Sequence, residues 1–417
     1  MRRRSFIGMA GTAAGLAAFA PAALAAGGPA VEGLPKLATN AVPISPAERL
    51  QRVAKAGALM RAHEMDAVLV EAGSSLVYFT GVQWWRSERL TAAIITREGE
   101  IAIVTPFFEE PSVRETLAID AEVLTWNEDE DPLQSVAAWL GRRGLGRGKI
   151  GIEETVRYFA VDGLQHALPE ASIVNGAPVV RGCRMIKSPA ELALMEIAND
   201  ITMAAYRHAM PQVEPGMTPR DIGGLINAAT RAMGGNPEFE LVLLGEASAY
   251  PHGSGKPQEV REGEVILLDC GCNVHGYQSD ISRSYVFGEP SARQRMVWNQ
   301  MRKGQDTAFE AAQPGVAAGK VDDAVRAYYE TLGYGPGYKL PGTSHRTGHG
   351  IGLDGHEPVN LVRGEETPLA PGMCFSDEPG IYIPGEFGIR LEDCFFMTES
   401  GPRWFSTPAP SIDNVFG

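Results

Sequence analysis

Cysteine, histidine and basic charge are all scarce in this 417-residue chain, and each shortage removes a class of explanation. The five cysteines, Cys183, Cys270, Cys272, Cys374 and Cys394, are odd in number and lack paired metal-ligand spacing. That argues against a disulfide framework, even in an oxidising compartment. Cys270 and Cys272 lie two apart in an apolar run and would point to one side of a strand, as small core residues do. Lysine and arginine number 37 against 51 acids, a formal charge of −14, which argues against nucleic acid and anionic membrane as partners. Histidine occurs eight times, and three of the eight (His345, His349 and His356) fall within residues 345–357. A neutral imidazole is both a transition-metal ligand and a proton carrier near neutral pH, so this clustering is the first functional clue. The glycines between these histidines let the backbone come close to an ion or a substrate, which a packed helix would not allow.

With 44% hydrophobic and 21% charged side chains, the composition is that of a soluble globular protein, and the length favours two domains. The N-terminus, Met1-Arg2-Arg3-Arg4-Ser5-Phe6-Ile7-Gly8 and an Ala/Gly-rich run ending Ala23-Leu24-Ala25, has the form of a cleavable export signal over residues 1–26. Its Arg3-Arg4-Ser5-Phe6-Ile7 core is of the twin-arginine type, so the expected location is periplasmic or secreted. The run is short and alanine-rich against the roughly 20 apolar residues of a membrane span, so no membrane attachment is expected after cleavage. Cleavage would remove three arginines and no acids, leaving 34 basic against 51 acidic side chains.

Residues 27–44, rich in Gly, Pro and Ala, read as a linker. Ser45, Pro46 and Glu48 then give the cap, proline and acid of a helix start with a capping box. Strands are expected at 67–70, 92–95, 101–104, 122–125, 149–152 and 172–174, with helices near 132–142 and 155–168, and a strand end at residues 78–81. The pattern is α/β, a domain spanning 45–183. Ser188, Pro189 and Glu191 repeat the helix-start signature in a second domain, 184–417, and Thr218-Pro219-Arg220-Asp221 gives it a third time. Beyond these, strands at 265–268 and 281–286 are joined by a turn at Val274-His275-Gly276, a helix follows near 291–312, and the last hundred residues read as short strands around glycine-rich turns.

The apolar run Val265-Ile266-Leu267-Leu268 ends in Asp269, and Asp280 lies eleven residues on, across the expected hairpin. Carboxylates facing each other on neighbouring strands repel unless a cation lies between them. Glu378, in Asp377-Glu378-Pro379-Gly380-Ile381-Tyr382, and Glu392, in Gly388-Ile389-Arg390-Leu391-Glu392-Asp393, sit in otherwise apolar strand sequence, where burial of a lone carboxylate is costly. Together with His349 they form an oxygen-rich donor set that suits Mn²⁺ or another hard divalent ion. Four carboxylates exceed what one catalytic zinc takes and suit a pair of ions roughly 3.5–4 Å apart.

In these motifs the sequence resembles the pita-bread metallopeptidases: prolidase, aminopeptidase P and their creatinase relatives. The resemblance extends to Gly245-Glu246-Ala247-Ser248-Ala249-Tyr250-Pro251-His252-Gly253, to Arg184, Lys187, Ser188 and Glu191, and to Leu76-Val77-Tyr78-Phe79-Thr80-Gly81 in the N-terminal half. It implies an α/β, overall α+β, architecture, with a creatinase-like N-terminal domain followed by a pita-bread catalytic domain. It further implies that Asp269, Asp280, His349, Glu378 and Glu392 hold two divalent ions, with Asp280 and Glu392 bridging and Glu378 taking the proton from a water held between the ions. By the same resemblance His252 and His356 donate hydrogen bonds to the substrate, Arg390 orients the bridging carboxylates, and His345 supports the substrate site. Mn²⁺ is the expected metal, with Zn²⁺ or Co²⁺ as alternatives. A homodimer is also implied, in which Trp84-Trp85-Arg86 could cap a neighbouring subunit's site.

The reaction expected is hydrolysis of Xaa-Pro bonds in peptide substrates, of the aminopeptidase P or prolidase type. Within the same fold, creatinase cleaves a non-peptide C–N bond without metal, and the presence of all five ligands speaks against that reading. A dimethylsulfoniopropionate lyase branch carries a further acid where this chain has Gly271. A non-catalytic binding homologue is the remaining alternative, but a buried four-carboxylate cluster without metal would be strongly destabilising.

Overall fold

The computed structural model describes residues 31–417, and the expected export signal lies outside the described residues. Residues 31–44 do more than link: Leu34, Leu37, Ala38 and Ala41 pack on the main core, and Lys36 Nζ donates to the Ala232 carbonyl at 2.6 Å. Among the described residues, no helix is long and apolar enough to cross a membrane.

The N-terminal part carries helices α1 (Pro46–Ala62), α2 (Ser74–Thr80), α3 (Glu110–Thr116), α4 (Pro132–Arg142), α5 (Tyr158–Ala167) and α6 (Ala177–Arg184). Its strands are β1 (Ala67–Glu71), β2 (Ala92–Thr96), β3 (Ile101–Pro106), β4 (Glu122–Trp126), β5 (Lys149–Ile152) and β6 (Ser172–Asn175). They form one sheet in the order β4-β3-β2-β1-β5-β6. In β1, Ala67 and Leu69 point into one core with Leu133, Trp139 and Leu164 of α4 and α5, while Val68 and Val70 point into another with Met60 of α1 and Leu76 and Phe79 of α2. Both faces are covered, which is why these strands read as unbroken apolar runs.

Two local expectations are corrected. Residues 78–81 are not a strand end: they finish α2, which Gly81 stops in the left-handed region at φ +85°. The β-branched and aromatic residues favour a strand, but Leu76 and Phe79, three apart, share the buried face of a helix, and tertiary packing outweighs propensity. At α1, Ser45 caps the Glu48 N–H at 3.1 Å, yet Glu48 does not close the box. Its carboxylate accepts instead from Arg52 at 2.8 Å and from the Ser188 hydroxyl at 2.7 Å, joining the two halves of the chain.

The second half begins with α7 (Pro189–Ala209) and α8 (Pro219–Met233), both with complete capping boxes. A sheet follows in the order β10-β8-β7, made of β7 (Asn236–Leu244), β8 (Val265–Val274) and β10 (Ile281–Val286), with the two-residue β9 (Tyr277–Gln278) on β8. The β8–β9 turn has His275 at φ +49° and Gly276 at φ +87°, the doubly left-handed geometry that matches the twist of a hairpin. Helices α9 (Ala292–Ala311) and α10 (Gly319–Thr331) pack on a second sheet ordered β12-β11-β13-β16-β17. Its strands are β11 (Gly348–Gly350), β12 (Glu357–Leu361), β13 (Cys374–Asp377), β16 (Asp393–Thr398) and β17 (Gly401–Trp404), with the hairpin β14 (Ile381 within Gly380–Ile383) and β15 (Phe387–Arg390) beside them. Helix α10 departs from the expectation of short strands alone. It lacks a side-chain cap, and only its buried Val321, Val325 and Tyr329, four apart, reveal the helical face.

A buried arginine stands where the two sheets meet. Arg283 of β10 is fully buried and donates to the carbonyls of Ser282, Glu392 and Val415, each at 2.9 Å, and to Asp393 Oδ1 at 2.7 Å. Replacing it leaves the buried Asp393 carboxylate, still hydrogen-bonded to Gln305 and Ser406, without its counter-charge, and takes a donor from the three carbonyls. We expect Arg283→Met to lower unfolding stability by about 3–5 kcal/mol, read as a shift of the urea midpoint. A change below about 1 kcal/mol would contradict this account of the junction.

Candidate metal centre and active site

The candidate ligands come from separate strands whose pairing brings them together. Asp269 lies in the middle of β8 and Asp280 immediately precedes β10. The register pairs Asp269 with Ser282, so Asp280 is the diagonal neighbour on the same face and not the residue directly opposite. His349 is central in β11, Glu378 follows β13 and Glu392 precedes β16. Asp377 and Asp393 pair in register, so Glu378 and Glu392 extend that pair outward. Mutual backbone bonds between Ser282 and Glu392, at 3.0 and 3.2 Å, tie β10 to this end of the second sheet.

Ligand atoms of His349, Glu378 and Glu392 lie within 4.8 Å of one another, as do those of Asp269, Asp280 and Glu392, so two triads share Glu392. A third close group joins Asp280 and His349 to His356. His349 Nδ1 faces the Gly350 carbonyl at 3.0 Å and so carries the proton, which leaves the bare Nε2 lone pair pointing at Glu378 Oε1 (3.3 Å) and Asp280 Oδ2 (3.6 Å). Burial, followed by the His356 ring, pushes the His349 imidazole down to about 3, so it is neutral. An acceptor aimed at acceptors is repulsive unless a cation lies among them. Burial pushes the Asp280 and Glu392 carboxyls well above their usual range, and Glu378 up to about 7. Asp269 Oδ1 and Glu392 Oε1 are buried without a hydrogen-bond partner. Orphaned oxygens, neighbouring acids and a neutral imidazole form a donor set that fits divalent cations.

The remaining expected site residues line the same cavity of about 540 Å³, together with Phe239, Leu241 and Arg346. Arg390 ends β15 fully enclosed: it contacts Asp269 Oδ2, donates through Nε to Ser282 Oγ at 2.9 Å, and reaches Tyr382 Oη and the Pro251 carbonyl at 3.3 Å each. Ser282 Oγ in turn donates to Glu392 Oε2 at 2.7 Å, so the arginine steadies one carboxylate directly and another through a hydroxyl. Its hold on the Pro251 carbonyl fixes the loop that exposes His252. His356 is exposed and stacks on the His349 ring, centroids 3.8 Å apart. His345 lies one layer back, with Nδ1 on the Arg346 carbonyl and Nε2 on the Tyr382 hydroxyl, both at 2.8 Å.

Sequence reasoning missed Tyr382 and Ser282, which connect His345, Arg390 and Glu392. A signal existed: a Cβ at Gly380 would lie 2.4 Å from Tyr382 Oη, and one at Gly388 2.7 Å from its ring, so both glycines make room for this tyrosine. Trp84 and Trp85 stack on each other, with Trp85 74% exposed, and neither lines the cavity.

Burial, then the Arg390 charge, pushes the His345 imidazole down to about 3. A depressed histidine contributes stability that is present above its unfolded value near 6.5 and is lost as pH falls through that window towards 3. His345→Gln removes this loss while keeping an acceptor for Tyr382. Between pH 6.5 and 5 the wild type should therefore lose about 2 kcal/mol more unfolding stability than the variant, measured by urea titration at both pH values. Equal losses would show that His345 is not held neutral.

The geometry agrees with what the chain is similar to. Residues 193–399 match the model of metallopeptidase family M24, and residues 52–186 match the creatinase/prolidase N-terminal domain. An uncharacterised peptidase of Schizosaccharomyces pombe is 33% identical, over 89% of this chain and 84% of its own length. The Xaa-Pro dipeptidase of Lactobacillus helveticus is 31% identical, over 82% of this chain and 92% of its own. The crystal structure of dipeptidase PepE from Mycobacterium ulcerans superposes with a TM-score of 0.80 at 30% identity, covering 88% of this chain and 97% of that one. The chain belongs to metallopeptidase family M24, with a creatinase-type N-terminal domain ahead of its pita-bread catalytic domain.

Proposed function

We propose that the protein hydrolyses the peptide bond before proline, acting on Xaa-Pro dipeptides or removing the residue in front of proline in longer peptides. The observation that carries this reading is the pair of ligand triads sharing Glu392 in a cavity lined by exposed histidines. The relatives named Xaa-Pro dipeptidase support the substrate class. In this reading Asp269, Asp280, His349, Glu378 and Glu392 would hold two divalent ions. When bound, these ions supply Lewis acidity to the scissile carbonyl and make water nucleophilic near neutral pH. Manganese is the expected metal on the hardness of four carboxylates.

The chain's own groups then divide the work. Glu378 accepts the proton of the attacking water and passes it to the leaving proline nitrogen. His252 and His356 donate to the substrate and to the oxygen that gains charge in the transition state. Arg390 holds Asp269 in place and, through Ser282, Glu392, while His345 positions Tyr382 beside Arg390. Export rests on Arg3-Arg4-Ser5-Phe6-Ile7, and the exposed Trp85, stacked on the half-buried Trp84, suits a contact with a second copy in a homodimer.

One observation weighs against elimination chemistry with an acid at position 271. A Cβ on Gly271 would lie 2.2 Å from the Ser279 carbonyl oxygen and 2.5 Å from the Phe239 ring, so this backbone admits no side chain there.

Protein loaded separately with Mn²⁺, Zn²⁺ and Co²⁺ should cleave Xaa-Pro or Xaa-Pro-Yaa peptides and leave Xaa-Ala peptides intact. Cleavage indifferent to proline would refute the specificity, and absence of bound metal with no metal activation would refute the enzyme reading. Glu378→Ala should lower kcat by about 10²- to 10⁴-fold without altering the circular dichroism spectrum. Near-normal turnover would remove Glu378 from the role of base.

A further inference from the structure

His356 is placed by its backbone. Its ring stacks on His349 and it is exposed, whereas the turn that presents it is folded around one buried carboxylate, that of the next residue. Glu357 Oε1 accepts the backbone N–H groups of Leu353 at 2.9 Å and Asp354 at 3.2 Å, and the Arg184 guanidinium at 2.5 Å. Its Oε2 accepts Lys187 Nζ at 3.0 Å. The Glu357 backbone pairs with Gly350, beside His349. A Cβ on Gly352 would lie 2.8 Å from Glu357 Oε1 and 2.9 Å from Lys187 Cε, so the turn closes on the carboxylate with no room to spare. From the other side Gln278, two residues before Asp280, donates through its backbone to the Gly352 carbonyl at 2.8 Å and through Nε2 to that of Leu353 at 3.0 Å.

The same cluster reaches into the N-terminal domain. Arg184 donates to Asp354 Oδ2 at 2.8 Å and to Ser75 Oγ at 3.0 Å, and Ser74 Oγ meets Asp354 Oδ1, both serines standing in the first turn of α2. Two cations, Arg184 and Lys187, meet two anions, Asp354 and Glu357, so the cluster is neutral as a whole and draws no charge from the metal centre. Against the burial that opposes its ionisation, Lys187 and Arg184 hold the Glu357 carboxyl down at about 2, so it remains an acceptor at any working pH. Buried ion clusters add little net stability for their desolvation, and what this one supplies is a fixed geometry.

We propose that Glu357, gripped by Arg184 and Lys187 and tied through Asp354 to Ser74 of the N-terminal domain, is a positioning residue that fixes His356 over the metal centre, so that the N-terminal domain sets turnover in the catalytic domain. The inference rests on the reading of His356 as a substrate donor. Misplacing a donor by an ångström is enough to lower a rate by about 100-fold. Ser74 is the informative arm, because it lies outside the catalytic domain and its loss removes one hydrogen bond without leaving a buried charge unpaired.

The test is a set of double-mutant cycles on metal-loaded protein, pairing Glu357→Gln and Ser74→Ala each with His356→Ala. Alone, Glu357→Gln should lower kcat by about 10- to 100-fold and Ser74→Ala by about threefold, with KM and bound metal unchanged and Ser74→Thr restoring the rate. In the His356→Ala background each should add less than about twofold. Losses that multiply, or a fall in bound metal, would overturn the proposal. A second readout does not depend on turnover: in histidine-labelled protein, the ring resonance identified as His356 by its absence from His356→Ala should shift in both single variants. An unmoved resonance would overturn the proposal even if no peptide is cleaved, and a moved one would support it while an inactive wild type counted against the peptidase reading alone.

Discussion

Buried oxygen acceptors converge at the centre of this molecule, and every neighbouring element is arranged to make that convergence tolerable. Burial, with repulsion from neighbouring acids that include Asp269, pushes the carboxyls of Asp280, Glu378 and Glu392 up, and the lone pair of His349 points into the same space. Arg390 touches Asp269 and approaches Glu392 Oε2 at 4.0 Å, yet one guanidinium cannot balance four carboxylates. A divalent cation among them would relieve these repulsions, and the orphaned Asp269 Oδ1 and Glu392 Oε1 are acceptors that fit one. Metal dependence is therefore written into the packing and not only into the identity of the ligands.

Strand geometry explains how such a cluster is reached without disordering the core. Successive side chains on a strand point to opposite faces, so Asp377-Glu378 and Glu392-Asp393 each send one acid to the cavity and one into the protein. On the inner side Asp393 meets Arg283, Gln305 and Ser406, while neither oxygen of Asp377 has a partner and burial, followed by Asp393, pushes its carboxyl well above the usual range. Arg283, which also gathers the carbonyls of Ser282 and Glu392, fixes the point where the two sheets meet, and with it the separation of Asp280 from Glu392.

Much of this was legible because strand chemistry punishes isolated carboxylates. An acid such as Asp269, at the end of Val265-Ile266-Leu267-Leu268, needs a partner, and four such acids with one histidine define a donor set before any coordinate is known. The first-half strands were legible for a related reason, since a sheet covered on both faces leaves continuous apolar runs. What the sequence hid depends on contacts between distant segments. Helix α2 looks extended until Leu76 and Phe79 meet their shared core, and α10 has no cap to announce it. Glu48 carries the spacing of a capping box, but its carboxylate is diverted to Arg52 and Ser188, a choice no local pattern encodes. Tyr382 was invisible as a functional residue because tyrosine in a strand is ordinary. Its partners, His345 and Arg390, are assembled only by the fold.

The four histidines around the cavity separate by how many of their ring nitrogens the protein occupies. His345 has both engaged, by the Arg346 carbonyl and Tyr382, so neither nitrogen is left to bind a metal. His349 has one engaged and one directed at the acids, the arrangement that fixes the tautomer of a ligand. His252 and His356 stand exposed on the cavity lining. Since free ring nitrogens alone leave such a side chain without an aim, precision must come from the backbone beneath it. For His252 that backbone is held by Arg390 through Pro251, and for His356 by the closed turn around Glu357, so in both cases a buried charged group holds the backbone beneath an exposed imidazole.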